Sequence, residues 1–335
     1  MLRLFSPVRL FVAGLLVAAV AAALWILPTE SYIFLPHRAH PVAPLVEVAG
    51  GEDPNDGGIY FVDVLVRKAT LIERLYPGIR EGATVVPAEE VRPPGVSEGQ
   101  RRREELLEMQ MSHRVAAAVA LRQLGYKVVA KPIGARIELV DPEAPAAGKL
   151  FPGDVITGAG GKPVTGPAGL RRAIRASGTA RDVLLVAKRD DKRVEVRVRP
   201  VRGPQGTPMI GVIISQAADI RLPVDVKIDS QGVGGPSAGL AFALDLLEEL
   251  GRDVDHGNRI AVTGALELDG TVSEIGGVKQ KTIGVERAGI KVFLVPAGEN
   301  AAEARRYADG IRIVPVTSFQ QALRSLATLP RASQD

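Results

Sequence analysis

The chain has 335 residues, enough for about two domains with additional segments, which excludes a single small module. An apolar fraction of 46% with 24% charged residues excludes a largely disordered chain. Lys and Arg outnumber Asp and Glu only by 42 to 38 and are scattered, so the sequence predicts no nucleic-acid partner. Without cysteine, disulfides, thiolate metal sites and a cysteine nucleophile are excluded.

An apolar segment lies near the N-terminus. Residues 10–27 carry no charge, and Arg3 and Arg9 precede them. A helix of this length spans about 27 Å, close to the thickness of a hydrocarbon core. The segment therefore predicts a transmembrane anchor in the cell membrane, and the positive-inside bias places the bulk of the chain outside the cytoplasm. A cleaved signal peptide is the alternative, because small alanines at 21–23 offer a cleavage site.

Composition and periodicity divide the chain into successive regions. Proline and glycine clusters predict a stalk, short strand patterns with glycine and proline turns predict a small β domain, and a final region alternates strand and helix patterns. The sequence thus predicts a multi-domain α+β chain. Its regions are a cytoplasmic tail (1–9), an anchor (10–27), a stalk (28–58), a strand and helix region (59–125), a small β domain (126–202) and a C-terminal α/β domain (203–330).

A glycine-rich loop at 232–239 carries the strongest chemical signal. It lies between a strand pattern and an apolar helix pattern, so Ser237 would project at a helix N-terminus. Backbone N–H groups and the positive helix end stabilise a developing oxyanion there, which suits a nucleophile. A serine in this place also commonly caps the helix. The loop alone does not decide between these roles.

A nucleophilic serine needs a base, and two types are present. His256 follows the loop along the chain, and the remaining histidines are His37, His40 and His113. A buried lysine is the other option, because desolvation lowers its pKa. Lys281 shares the apolar face of a helix pattern with Val278 and Val285, whereas Lys279 points elsewhere. The spacing favours Lys281 and leaves His256 as the alternative.

Several motifs of the C-terminal region resemble the proteolytic domain of Lon proteases in order and spacing. They are Gly-Pro-Ser-Ala-Gly at 235–239, Thr-Gly at 263–264, Gly-x-Val at 270–272, Ile-Gly-Gly-Val-Lys-Gln-Lys at 275–281 and Arg-Ala-Gly-Ile at 287–290. The resemblance implies a catalytic dyad of Ser237 and Lys281, with Thr263 hydrogen-bonded to the lysine. The loop that would hold the oxyanion consists of Gly234, Gly235 and Pro236. Gly234 and Ala265 stand where the ATP-dependent enzymes carry acidic residues.

The small β domain is similar to a bacterial PDZ domain. The similarity rests on Ala-Pro-Ala-Ala-Gly-Lys-Leu at 144–150, Pro-Gly-Asp-Val-Ile at 152–156 and Gly-Lys-Pro-Val at 161–164. It implies capture of an extended peptide as an added strand. The predicted peptide-binding residues are Ile133, Gly134, Ala135, Arg136 and Ile137. A β domain that packs without binding a peptide is the alternative.

From the stalk onward, the chain resembles bacterial membrane-anchored PDZ–Lon proteins. It contains neither a Gly-x-x-x-x-Gly-Lys-Ser/Thr loop nor a His-Glu-x-x-His motif, so an ATPase module and a zinc peptidase are not expected. The prediction is a membrane-tethered, ATP-independent serine endopeptidase that acts on extracytoplasmic peptides or proteins and needs no cofactor or metal. The alternative is a non-catalytic membrane-anchored PDZ adaptor, and homo-oligomerisation is left open.

Overall fold

The computed structural model describes residues 7–51, 57–91, 98–190, 192–203, 206–229 and 235–332. Its helices are α1 (Pro7–Ile26), α2 (Leu71–Leu75), α3 (Ala88–Val91), α4 (Glu98–Gln123), α5 (Pro167–Ser177), α6 (Gly239–Glu249), α7 (Val278–Arg287), α8 (Glu299–Tyr307) and α9 (Phe319–Leu326). Its strands are β1 (Pro28–Pro41), β2 (Val46–Val48), β3 (Gly58–Thr70), β4 (Thr84–Pro87), β5 (Val129–Val140), β6 (Val155–Ala159), β7 (Lys162–Pro163), β8 (Val183–Arg189), β9 (Lys192–Val198), β10 (Val201–Arg202), β11 (Pro208–Met209), β12 (Val212–Arg221), β13 (Val226–Ile228), β14 (Arg259–Val262), β15 (Ala265–Leu266), β16 (Val272–Ser273), β17 (Val292–Pro296) and β18 (Arg312–Val316). The predicted α+β class is confirmed.

The larger sheet has the strand order β18-β17-β14-β3-β1-β4. Strand β14 runs parallel to β3 and to β17, whereas β1 runs antiparallel to β3 and to β4. The strands β1, β3 and β4 precede the small β domain in the chain, and β14, β17 and β18 follow it. The C-terminal domain predicted over 203–330 is therefore completed by strands from the N-terminal part of the chain.

The predicted stalk over residues 28–58 is wrong for the part that the structure describes. Strand β1 lies inside the larger sheet, and β2 pairs with β13. The prolines argued against a strand here, because a residue without a backbone N–H normally interrupts the hydrogen-bond ladder of a sheet. Here β1 accommodates its prolines with register shifts beside Pro28 and Pro36.

The larger sheet is covered on both faces. Alternate residues of its strands point to opposite faces, so Phe61 packs into one apolar cluster and Val62 into another. The first cluster includes residues of α4, α6 and α9, and the second includes residues of α7 and α8. The larger sheet thus lies between two helical layers, and α6 and α7 lie on opposite faces of it.

The smaller sheet has the order β12-β5-β6-β8-β9, with β7 paired to β6. Helix α5 contributes Leu170 and Ile174 to the apolar core of this domain. Strand β12 lies beyond the predicted boundary at residue 202, yet it pairs with β5 along most of its length. The small domain is therefore inserted between α4 and α6, and β12 leads from it back to the part of the chain that forms the larger sheet.

The apolar segment predicted as an anchor forms helix α1. Its described side chains are largely exposed, including Phe11, Val17 and Ile26. Within the part of the chain that the structure describes, no helix combines the length and hydropathy needed to cross a membrane.

Candidate active site

Ser237 lies on a short 3-10 turn that leads directly into α6. The turn starts after Gly235, whose φ of 89° lies in the left-handed region that favours glycine. Gly239 follows at the first position of α6, where an added Cβ would come within 2.8 Å of Ser112 Oγ. Close packing against α4 thus requires a small residue at this position. The serine side chain is half-buried at the N-terminus of the helix.

Lys281 reaches the serine from α7. The helix begins after Gly277, and Val278, Lys281 and Val285 lie on its buried face, as the spacing predicted. The Lys281 side chain is 4% exposed, and its Nζ donates to Ser237 Oγ at 2.7 Å. The structure therefore brings the two predicted dyad residues into direct contact.

Thr263 holds both members of this pair. It directly follows β14, and its Oγ1 accepts a hydrogen bond from Lys281 Nζ at 3.0 Å. The same hydroxyl donates to the backbone oxygen of Ser237 at 3.2 Å, and Gly264 N donates to that oxygen at 2.8 Å. The end of β14 thus fixes the position of the serine backbone and of the lysine amine together.

Burial sets the protonation of the lysine. Desolvation lowers the pKa of Lys281 from 10.5 to about 7, although the negative charge of Asp63 acts in the opposite direction and raises it. A substantial fraction of the amine is therefore neutral near pH 7. A neutral amine can donate to Thr263 and still accept a proton from the Ser237 hydroxyl.

The structure does not bring His256 to the serine. Helix α6 separates them and rises about 16 Å over its length. His256 lies beyond the C-terminal end of this helix, where its backbone N donates to Asp253 Oδ1. The histidine alternative for the base is thus wrong in geometry.

The predicted oxyanion loop lies partly outside the described residues. Gly235 and Pro236 directly precede Ser237, and Gly234 is not among the residues that the structure describes. Pro236 has no backbone N–H and cannot donate to an oxyanion. Within the described part of this loop, the backbone N–H groups available for that role belong to Gly235 and Ser237.

The predicted peptide-binding strand is wrong in its position. Strand β5 pairs with β12 on one side and with β6 on the other, so the backbone of Ala135 and Arg136 has a neighbouring strand on both edges. The same placement applies to the whole predicted set of Ile133, Gly134, Ala135, Arg136 and Ile137, which lies within or beside this doubly paired segment. In the described part of the sheet, the edge strand beside α5 is β12.

A cavity of about 510 Å³ connects this edge with the serine. Its walls include Leu170 and Ile174 of α5, Ile213 of β12, Ser237 itself and Gly276 before α7. The cavity therefore extends from the edge of the small domain to the candidate nucleophile.

Glu267 is a residue of this region that the sequence did not indicate. It follows β15 and is buried, yet it contacts α5 of the small domain. Its Oε1 lies 3.1 Å from Arg171 Nη1, and its Oε2 accepts a hydrogen bond from Ala168 N at 3.0 Å. An acidic residue close to a helix N-terminus in the sequence can be recognised as a stabilising contact. Here the sequence offered no such signal, because Ala168 and Glu267 are 99 residues apart.

The contacts among Ser237, Lys281 and Thr263 define a candidate active site of the serine-peptidase class, in a domain into which the small β domain is inserted. Residues 212–328 match the family model of the Lon protease (S16) C-terminal proteolytic domain. Residues 108–199 match the family model of the PDZ domain. The chain thus contains a Lon proteolytic domain and a PDZ domain.

Curated relatives support the first assignment. Lon protease 2 of Bacillus subtilis is 33% identical over 113 residues, which cover 33% of this chain and 20% of that protein. The Lon protease of Neorickettsia sennetsu is 36% identical over 113 residues, or 32% of this chain and 13% of that protein. The similarity thus spans a fifth or less of these relatives' length.

Solved PDZ domains are also similar to the chain. One from a SdrC-like protein of Listeria monocytogenes is 25% identical and covers 24% of this chain and 87% of that domain, with a TM-score of 0.23. One from a SdrC-like protein of Listeria innocua is 27% identical, covers 24% of this chain and 92% of that domain, and has the same TM-score.

Proposed function

We propose that the chain is a membrane-tethered, ATP-independent serine endopeptidase in which Ser237 is the nucleophile and Lys281 the base. The observation that carries this proposal is the 2.7 Å contact between Ser237 Oγ and the Lys281 amine, whose pKa burial lowers to about 7. The absence of a phosphate-binding loop from this sequence supports independence from ATP.

The contacts support a two-stage acyl transfer. The neutral Lys281 amine accepts the Ser237 proton while Oγ attacks the substrate carbonyl, and the resulting ammonium returns the proton to the leaving amine. In the second stage, Lys281 takes a proton from water as the water oxygen attacks the acyl carbonyl. It returns this proton to Ser237 Oγ as the ester bond breaks and the new carboxyl terminus leaves. The N–H groups beside Ser237 and the N-terminus of α6 stabilise the oxyanion in both stages.

The PDZ domain supplies substrate capture in this proposal. An extended peptide adds to the edge of β12 and lies between that strand and α5. Because the same cavity contains Ser237, the segment that is captured is presented directly for cleavage. Cleavage of flexible segments rather than of folded domains follows, since an added strand must be unpaired beforehand.

Tethering by α1 completes the proposal. Its apolar side chains, such as Phe11, Leu16 and Val17, are exposed. Their transfer from water into the hydrocarbon core of a membrane is favourable and would stabilise the helix there. Arg3 and Arg9 precede the uncharged residues 10–27 and favour the orientation with the proteolytic domain outside the cytoplasm.

Single and double variants test the dyad. Ser237→Ala and Lys281→Ala should each abolish hydrolysis of a flexible reporter peptide, and the double variant should be no worse than either, because residues that act as a unit are non-additive. Lys279→Ala and His256→Ala are matched controls and should retain most activity. Normal turnover by Lys281→Ala would overturn the proposed base. A wild type that binds peptides without cleaving them would support the adaptor instead.

A further inference from the structure

A second group of ionisable side chains lies on β1 and β3. His37 Nδ1 lies 2.8 Å from Asp63 Oδ2, and His40 Nε2 lies 3.3 Å from Asp63 Oδ1. Two imidazoles and a carboxylate therefore converge on one point, with all three ligand atoms within 4.8 Å of one another. These residue types are frequent ligands of divalent transition metals.

A β-bulge produces this convergence. Side chains three positions apart in a regular strand point to opposite faces, so His37 and His40 would normally diverge. The register shifts between Pro36 and Ala39, so that two residues of β1 face the single residue Asp63 of β3. Such a bulge re-aims side chains, and here it directs both imidazoles towards the same carboxylate.

Neighbouring contacts hold the three side chains in place. The His40 ring stacks on Phe61 with centroids 5.0 Å apart, and Arg38 N donates to Asp63 Oδ1 at 3.2 Å. Although Asp63 Oδ1 lies 3.3 Å away, the buried His40 Nε2 forms no hydrogen bond of acceptable geometry with any described residue. The side chains of His37 and His40 remain about one-third exposed, at 36% and 28%, which leaves room for water ligands.

We propose that His37, His40 and Asp63 bind one divalent transition-metal ion of the Zn²⁺ type. A tetrahedral ion with bonds of about 2.0–2.2 Å keeps its ligand atoms about 3.4 Å apart. The imidazole nitrogens of His37 and His40 lie 2.8 and 3.3 Å from the two oxygens of Asp63, which is close to that spacing. Water would complete the coordination. This proposal concerns ion binding alone and does not depend on peptidase activity.

The rest of the described chain offers little competition for such an ion. His113 packs edge-on against Phe242, and its pKa is lowered to about 4 mainly by burial. The other convergent group consists of Glu248, Asp253 and Asp255. Its ligands are all carboxylates, which suit Ca²⁺ or Mg²⁺ better than Zn²⁺.

Cobalt titration tests the site directly. The full chain, solubilised in detergent and stripped with a chelator, is titrated with Co²⁺ while its visible absorption is recorded, and Zn²⁺ is then added as competitor. We expect one Co²⁺ per chain and its displacement by Zn²⁺. His37→Gln and His40→Gln should each weaken binding at least about tenfold, and the double variant should abolish it. His256→Gln is the matched control and should bind as the wild type does.

A thermal measurement on the wild type adds a test that is independent of variant folding. Because an ion that binds the native state stabilises it, Zn²⁺ should raise the Tm in a concentration-dependent way. No Co²⁺ binding and no Zn²⁺-dependent Tm shift in the wild type would overturn the proposal. Unchanged binding by the His37→Gln/His40→Gln double variant, or its loss in Asp253→Asn, would do so as well.

Discussion

At the scale of single residues, the proposed chemistry depends on the burial of one amine. Lys281 loses hydration inside the proteolytic domain, and this loss moves its pKa to about 7. Two hydroxyl groups, those of Ser237 and Thr263, replace the lost water. In the proposed mechanism, the site thus supplies a base at neutral pH without a histidine.

The pH dependence of activity follows from this pKa. Only the neutral amine acts as the base, so kcat/KM for a reporter peptide should rise as pH increases through about 7 and then level off. Asp63→Asn removes a charge that raises the Lys281 pKa, so the rising limb should move to lower pH when chelator is present. A limb that moves to higher pH in Asp63→Asn would contradict this electrostatic role.

Thr263 should act as a positioning residue. Thr263→Val keeps the shape but removes the hydroxyl that accepts from Lys281 and donates to the Ser237 backbone. We expect kcat to fall about fivefold, as for the loss of one hydrogen bond of about 1 kcal/mol, with KM little changed. Steady-state kinetics check this, and Thr263→Ser should restore most of kcat. A normal kcat in Thr263→Val would exclude the role.

At the scale of elements, the sequence predicted features that depend on neighbouring residues, but it did not predict the order of the strands in the sheets. The three- and four-residue spacing of the buried face of α7 identified Lys281, because a helix face can be read from neighbouring residues. The edge strand could not be read in this way. Alternation in β5 and β12 is alike, and only their pairing shows that β5 is internal.

The composition of β1 explains a second difference. Its prolines indicate loop or stalk by local rules, whereas pairing with β3 decides its conformation. The bulge beside Pro36 is also invisible in the sequence. The convergence of His37 and His40 therefore could not be predicted from their spacing.

Substrate capture by β12 predicts a selective effect of one side chain. Ile213 is 57% exposed and lines the cavity that contains Ser237. Ile213→Asp should raise KM for a long apolar peptide several-fold, because a charge then faces the bound strand, while acylation by a small serine-directed probe stays unchanged. Val129→Asp, an exposed apolar residue on β5, is the matched control. Equal KM values for the two variants would show that peptides bind elsewhere.

At the scale of the whole molecule, the proteolytic half is discontinuous in sequence. This half consists of the larger sheet and the helices that cover it. Residues 212–328 match the Lon domain model, yet β14 pairs with β3, and α6 packs on α4. Strand β3 precedes the residues that match the PDZ model, and α4 overlaps the start of that match. Domain limits that are inferred from motifs alone therefore include the candidate site residues but not the whole folding unit.

A fragment experiment tests this discontinuity. A fragment of residues 203–332 should fail to fold alone, since β14 loses β3 and α6 loses the cover of α4. Co-expression with residues 28–125 should restore a cooperative thermal transition, measured by circular dichroism. Cooperative unfolding of the isolated fragment would contradict the shared sheet.

The absence of cysteine allows a clean test of membrane topology. Tyr76→Cys introduces one thiol at an exposed position of the proteolytic half, and Ser6→Cys introduces one before α1. In intact cells, a membrane-impermeant maleimide should label the first variant and not the second. Labelling of only the second would reverse the proposed orientation, and recovery of the wild type in the soluble fraction would contradict tethering.

The central claim is that Lys281 activates Ser237, and covalent labelling tests it most directly. The wild type is treated with a serine-directed acylating probe and analysed by intact mass and peptide mapping. We predict one probe per chain, attached to Ser237, at a rate that rises through about pH 7, and no labelling of Lys281→Ala. Absence of wild-type labelling, or labelling of Ser237 that persists in Lys281→Ala, would contradict the account.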